Sequence, residues 1–311
     1  YRLYSDCIYL QCNRIYSYHL HRYSNQKGYS CGMVFLWQSN TFILQTMKKT
    51  AIQGLVLIGL FFATLLLLLQ VDWVKLFKIE STKDKTAQKL GNLVWDYIEK
   101  TERTTQDSYL LMAIDSIKTK ICHFNSIDPT TIQLHVIEKN EFNAFALPGG
   151  HLVLYTGLIT TAESPEALSG VIAHEIAHLE QHHVMKKLIK EVGISAITSL
   201  TSGGSGTIIV KEMAKKLSST SFDRSFEKEA DLKATEYLIK AHINPEPFAH
   251  FLYQHADTAQ SVSKYLSWIS THPDSKDRAK YILDYCKNKE VEEELVIAPQ
   301  TWNNLKENIV K

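Results

Sequence analysis

Residues 174–178 read His-Glu-Ile-Ala-His, and no other stretch of the chain restricts its fold as tightly. On a helix, residues four apart stack on one face, so the two imidazoles point the same way while the glutamate is turned about 100° aside. The flanks Val171, Ile172, Ala173, Ile176, Ala177 and Leu179 make the helix apolar nearly all round. Imidazoles carried into such a setting require partners. One divalent ion satisfies both, and Glu175 then reaches a water on that ion. The start of this helix is written in Ser164-Pro165-Glu166: a cap, a residue suited to the first turn, and an acid at the positive dipole end.

The four-residue step recurs in Glu227-Lys228-Glu229-Ala230-Asp231. Glu227 is the expected third ligand beside His174 and His178, and Asp231 the acceptor for the distal nitrogen of a ligand histidine, fixing its tautomer. A Zn²⁺ with three protein ligands keeps a fourth position for water, whose pKa falls from 15.7 toward about 7, and Glu175 is the expected general base. The cysteines at 7, 12, 31, 122 and 286 follow no paired CxxC spacing, so the metal falls to histidine and carboxylate. Cys122 and Cys286 are equally readable as a disulfide or as two free thiols.

Around these motifs the pattern is α+β. Leu90, Val94, Tyr97 and Ile98 share one helical face, and Leu110, Leu111, Ile114, Ile117 and Ile121 another. From Thr131 the period switches to two, with Ile132, Leu134 and Val136 alternating, and two short apolar runs follow at Phe142–Leu147 and Leu152–Tyr155, with Pro148-Gly149-Gly150 as the turn between them. Helices are expected over 224–240, around 247–255 and over 275–285. Residues 192–210 carry no charge, but glycine, serine and threonine dominate there, so a mobile hairpin beside the site or a membrane is expected rather than a second span.

The N-terminal part is different in kind. Residues 1–46 hold seven of the 15 tyrosines and a single acid, and read as non-native or unstructured. Met47-Lys48-Lys49-Thr50 then precedes 21 uncharged residues, 51–71. At about 1.5 Å per residue these reach roughly 30 Å, the thickness of a bilayer core. With no small-residue cleavage site after it, residues 47–73 are expected to be an uncleaved signal anchor, with Trp73 near the interface. Lys48 and Lys49 favour a cytoplasmic start, placing the rest in a bacterial periplasm as a single-pass protein. The expected divisions are 74–89 as linker, 90–290 as the catalytic domain and 291–311 as a C-terminal tail. Thirty-four basic residues against 33 acidic ones supply no field for nucleic acid.

Asn143-Ala144-Phe145-Ala146-Leu147-Pro148-Gly149-Gly150, Thr156-Gly157-Leu158, His174 to His178, His183, Glu227 to Asp231 and Thr271-His272-Pro273 with Arg278 together resemble the gluzincin family. That family includes the CAAX prenyl endopeptidases, the HtpX-like heat-shock peptidases and the periplasmic proteases of outer-membrane assembly. The resemblance implies a mainly helical zincin-like metallopeptidase domain with a small sheet. It also implies that Asn143, Ala144, Phe145 and Ala146 form an edge strand to which an extended polypeptide adds. By the same resemblance His272 is an inhibitory fourth ligand or an oxyanion stabiliser, Arg278 helps to orient substrate, and His183 packs or hydrogen-bonds. His182, His242, His250 and His255 read as surface or helix-packing residues. A single anchor points to quality control of unfolded or misassembled proteins and away from prenyl processing. The competing reading is a membrane-tethered chaperone or assembly factor that binds extended chains at that strand without cutting them.

Overall fold

The computed structural model describes residues 47–64, 79–201, 206–258, 266–287 and 289–310. Residues 1–46, and the end of the expected anchor beyond residue 64, lie outside them. Two compact units divide between residues 76 and 77. In the first, α1 (Met47–Thr64) is long and apolar enough to cross a membrane, and none of it is buried within the protein. Leu55, Leu57, Phe61 and Phe62 are all more than half exposed. An exposed helix this apolar suits a non-aqueous surrounding.

The second unit begins with α2 (Ile79–Thr101), which corrects the expected linker over 74–89 from residue 79 onward. No glycine or proline interrupts the charged stretch, so the helix nucleated by buried Leu90 and Val94 propagates backward through it. The backbone of Ala87 and Gln88 then lies against Gly149, where a side chain would meet Gln88 Cα at 2.5 Å. Next come α3 (Ser108–Phe124), capped by the Asp107 carboxylate, and a three-stranded sheet of β1 (Gln133–Ile137), β2 (Ala144–Leu147) and β3 (His151–Tyr155). Its order is β1-β3-β2, with Gln133 opposite His151 in the parallel pair and Ala144 opposite Leu154 in the antiparallel one. The turn joining β2 to β3 needs φ of 74° at Gly149 and 88° at Gly150, a region glycine enters without steric cost.

Alternate residues of the sheet feed two cores. Val136, Leu152 and Leu154 join the larger one, whereas Ile137, Val153 and Tyr155 join the smaller. Both faces are covered over β2 and β3, which are buried along their whole length, whereas β1 begins exposed at Gln133. After α4 (Thr156–Thr161), the larger core is completed by α5 (Pro165–Glu180), α9 (Arg224–Lys240), α10 (Glu246–Thr258), α11 (Leu266–Thr271) and α12 (Ser275–Cys286). The smaller core takes α2, α6 (His183–Val192), α7 (Ile194–Thr201) and α8 (Thr207–Ser219). Gly170 lets α5 close on α10, since a side chain there would meet Phe248 Cβ at 2.2 Å.

Two further expectations are corrected. The supposed hairpin over 192–210 is helical on both sides of residues 202–205, which are outside the description, and Ile197, Leu200 and Val210 are buried in the smaller core. The tail over 291–311 contains α13 (Pro299–Val310), whose Trp302 and Leu305 are buried in the larger core, with Lys306 Nζ donating to Ala162 O at 2.9 Å. Its apolar residues recur at helical steps behind an N-terminal proline, a pattern too short to stand out without its partners. Cys122 and Cys286 are free thiols.

Candidate metal centre

Helix α5 starts where Ser164 Oγ accepts the Ala167 N–H at 3.2 Å, and it runs through the core fully buried from Ala167 to His178. Helix α9 packs along it and brings Glu227 and Asp231 to the face that carries His174 and His178. His174 Nε2 is 3.0 Å from His178 Nε2 and 3.7 Å from Glu227 Oε2, and His178 Nε2 is 3.3 Å from Glu227 Oε1. His272, just past α11, completes the group: one ligand atom from each of His174, His178, Glu227 and His272 lies within 4.8 Å of the others. All four residues are buried.

Glu175 enters the same volume from its offset position. Its Oε1 accepts from Trp268 Nε1 at 3.3 Å and lies 3.3 Å from His272 Nε2, while its Oε2 has no hydrogen-bond partner among the described residues. The other side of His272, Nδ1, is 2.9 Å from Glu227 Oε1. Behind the ligands stands Asp231, its Oδ1 at 2.8 Å from His174 Nδ1. Arg278 grips Asp231 with both Nε and Nη2 at 2.7 Å, and Tyr281 Oη donates to the same carboxylate. Arg278 Nη1 donates to His272 O at 3.1 Å and is ion-paired with Glu227 Oε2 at 2.8 Å, without the alignment of a hydrogen bond. Arg278, expected to orient substrate, has its donors taken up here by the site's own carboxylates and by a backbone carbonyl.

The electrostatics follow from this crowding. Burial pushes the Glu175 carboxyl up, but the neighbouring His272, His174 and His178 outweigh it and hold it down at about 2. Burial also pushes Glu227 up, and His272 and Arg278 bring it well below the usual carboxylate range. Asp231, raised by burial, is brought to about 2 chiefly by Arg278. His178 is lowered to about 3 by burial, so it stays a neutral donor, whereas the carboxylates of Glu227 and Glu175 raise His272 against the pull of burial. A tetrahedral ion with bonds of 2.0–2.1 Å has donors about 3.3 Å apart. The spacings among His174, His178 and Glu227 bracket that value, and two imidazole nitrogens plus one carboxylate oxygen suit a zinc ion.

Sequence alone missed several neighbours. Phe222 stacks on the His178 ring with centroids 4.0 Å apart, and Lys187 Nζ sits 4.0 Å over Phe222 while donating to Thr220 O. Trp268 covers Glu175, and Tyr281 braces Asp231. None carries a local signal, since each acts through a distant partner. The strand residues Asn143, Ala144, Phe145 and Ala146 lie where expected, on or next to edge strand β2, yet all are buried.

Two long helices presenting HExxH and a carboxylate to one buried point, beside a small mixed sheet, define a zincin-like metallopeptidase domain. The chain belongs to peptidase family M48, whose model matches residues 113–285, more than half of its length. It is 30% identical over 168 residues to the mitochondrial metalloendopeptidase OMA1 of Schizosaccharomyces pombe, covering 52% of this chain and 49% of that one. Against the beta-barrel assembly-enhancing protease of Yersinia pestis it is 27% identical, over 54% of this chain and 37% of the other. The human mitochondrial metalloendopeptidase OMA1 is 24% identical, over 67% and 43%. The chain thus spans about half or less of these relatives.

Proposed function

We propose that this chain is a membrane-anchored zinc metalloendopeptidase that cleaves peptide bonds in unfolded or misassembled proteins. The observation carrying the proposal is the convergence of His174, His178 and Glu227 within bonding range of one point, with Glu175 beside it. A zinc ion held there supplies Lewis acidity, polarising a carbonyl and making a water more acidic. Glu175, an anion at neutral pH, takes the proton of the attacking water and returns it to the leaving amine as the C–N bond breaks. Asp231 holds His174 through its Nδ1, and Arg278 is ion-paired with Asp231 behind the ligands and with the donor Glu227 itself.

The metal donors are 3% exposed or less, so the described form is closed. His272, within reach of the same point, is assigned the fourth donor place of a latent state, and Trp268 and Phe222 form its cover. An extended substrate strand adding to β2 requires that cover to move. A cavity of about 300 Å³ already borders the strand, between Phe145, Tyr155, Tyr97 and Lys211. The relatives named for mitochondrial metalloendopeptidase and barrel-assembly roles support polypeptide substrates, and Lys48 and Lys49 in the first turn of α1 support a periplasmic domain. The domain boundaries proposed are an anchor from residue 47 and a catalytic unit from 79 to 310.

Metal analysis and casein cleavage by the purified protein, with and without a chelator, test this. Wild type is expected to hold one zinc and to cleave in a chelator-sensitive way. Glu175→Gln is expected to keep the zinc and lose about 10²–10⁴-fold in turnover. Unchanged activity of Glu175→Gln in cells would sink the peptidase reading in favour of a chaperone that binds extended chains.

A further inference from the structure

The two ligand histidines are held differently. His174 turns its Nδ1 directly onto a carboxylate, Asp231 Oδ1 at 2.8 Å. His178 turns its Nδ1 onto another imidazole, His183 Nδ1 at 3.1 Å. The far nitrogen of His183, Nε2, lies 3.2 Å from Oε2 of Glu229, whose side chain is 51% exposed. His183 itself is fully buried, and Phe226 lies flat on it with ring centroids 4.4 Å apart and planes 12° from parallel.

The protons of this row can be assigned from its outer end. A carboxylate only accepts, so the proton between Glu229 and His183 belongs to His183 Nε2. In neutral His183 this leaves Nδ1 bare and able only to accept, so the next proton belongs to His178 Nδ1. His178 is thereby confined to the tautomer whose Nε2 lone pair is free, and that nitrogen is the one facing His174 and Glu227.

We propose that His183 and Glu229 are positioning residues for the metal donor His178, fixing its tautomer and ring plane and raising its basicity as Asp231 does for His174. The inference rests on the zinc reading above. It makes α9 the source of one ligand, Glu227, and of both outer carboxylates, Asp231 directly and Glu229 through an interposed imidazole. Removing such an outer partner costs about 10–100-fold in metal affinity.

The test is the zinc dissociation constant of the full-length protein in detergent, by competition with a chromophoric chelator. Glu229→Gln keeps an acceptor and loses the charge, and is expected to weaken zinc binding about three- to tenfold. Glu229→Ala is expected to do so about tenfold or more, and His183→Phe up to about 100-fold. The metal-free melting temperature of both Glu229 variants should match wild type, because the carboxylate is half in solvent. ¹⁵N imidazole shifts should report a single Nδ1–H tautomer for His178 in wild type and a mixture in Glu229→Ala. Wild-type zinc affinity in all three variants, with His178→Ala losing the metal, overturns the relay alone. If wild type binds no zinc, or His178→Ala binds it equally well, the metal reading falls and the relay with it.

Discussion

Two groups of buried or half-buried histidines sit in this unit, and their surroundings separate them. His135 and His151, on the paired strands β1 and β3, meet Nε2 to Nδ1 at 2.9 Å, with Asn92 Oδ1 at 3.0 Å from His151 Nε2 and Trp95 stacked 3.6 Å over His135. Burial, followed by the second ring, takes His135 down to about 4, and burial also lowers His151. Around His174, His178 and His272 the partners are instead Glu175, Glu227 and Asp231. Burial alone makes an imidazole neutral and ties it to whatever amide or ring is near. Convergent carboxylates are what turn such a group into a place for a cation.

The sharpest way to break this contrast is to unbalance the charged group. Arg278→Met leaves Asp231 and Glu227 buried without their cation, and is expected to destabilise the metal-free protein by about 3–5 kcal/mol. Denaturant unfolding measures it, and a loss below about 1 kcal/mol would mean that the carboxylates do not depend on Arg278. A smaller effect is expected at the neutral group. His151→Phe strips His135 and Asn92 of their partner and should cost about 1–3 kcal/mol, with zinc content unchanged. A fall in zinc would erase the distinction between the two groups.

The smallest effect is a pH slope. His135 titrates near 4 when folded against an ordinary 6.5, so between those values the unfolded chain binds more protons than the folded one. Stability should therefore be fully present above pH 6.5 and decline as pH falls toward 4, and His135→Gln should flatten that part of the curve. Unfolding midpoints at half-unit pH steps in wild type and variant give the answer.

Where a feature is written within a few residues, its position was legible in advance. The HExxH pair, the Glu227–Asp231 step and the α9 helix over 224–240 depend on a repeat of 3.6 residues, the cap at Ser164 on a local hydrogen bond, while alternation marked the first strand and short apolar runs the other two. The linker and tail were misread because a charged run without breakers, and one short amphipathic turn, look alike whether solvated or packed. Only the groove beside Gly149 and the pocket taking Trp302 and Leu305 distinguish them.

By itself, then, the sequence determined a membrane-grade apolar segment, a helical unit with a small sheet, and which imidazoles and carboxylates share a helix face. Tertiary structure alone decided what each of those groups touches. It placed His272 and Trp268 over Glu175, turned Arg278 onto Asp231 and Glu227, and set His183 between His178 and Glu229. The physical reason is range: helical and strand periodicity are short-range properties of the backbone, whereas hydrogen-bond partners and buried charge pairs are chosen by packing between segments that lie far apart in the chain.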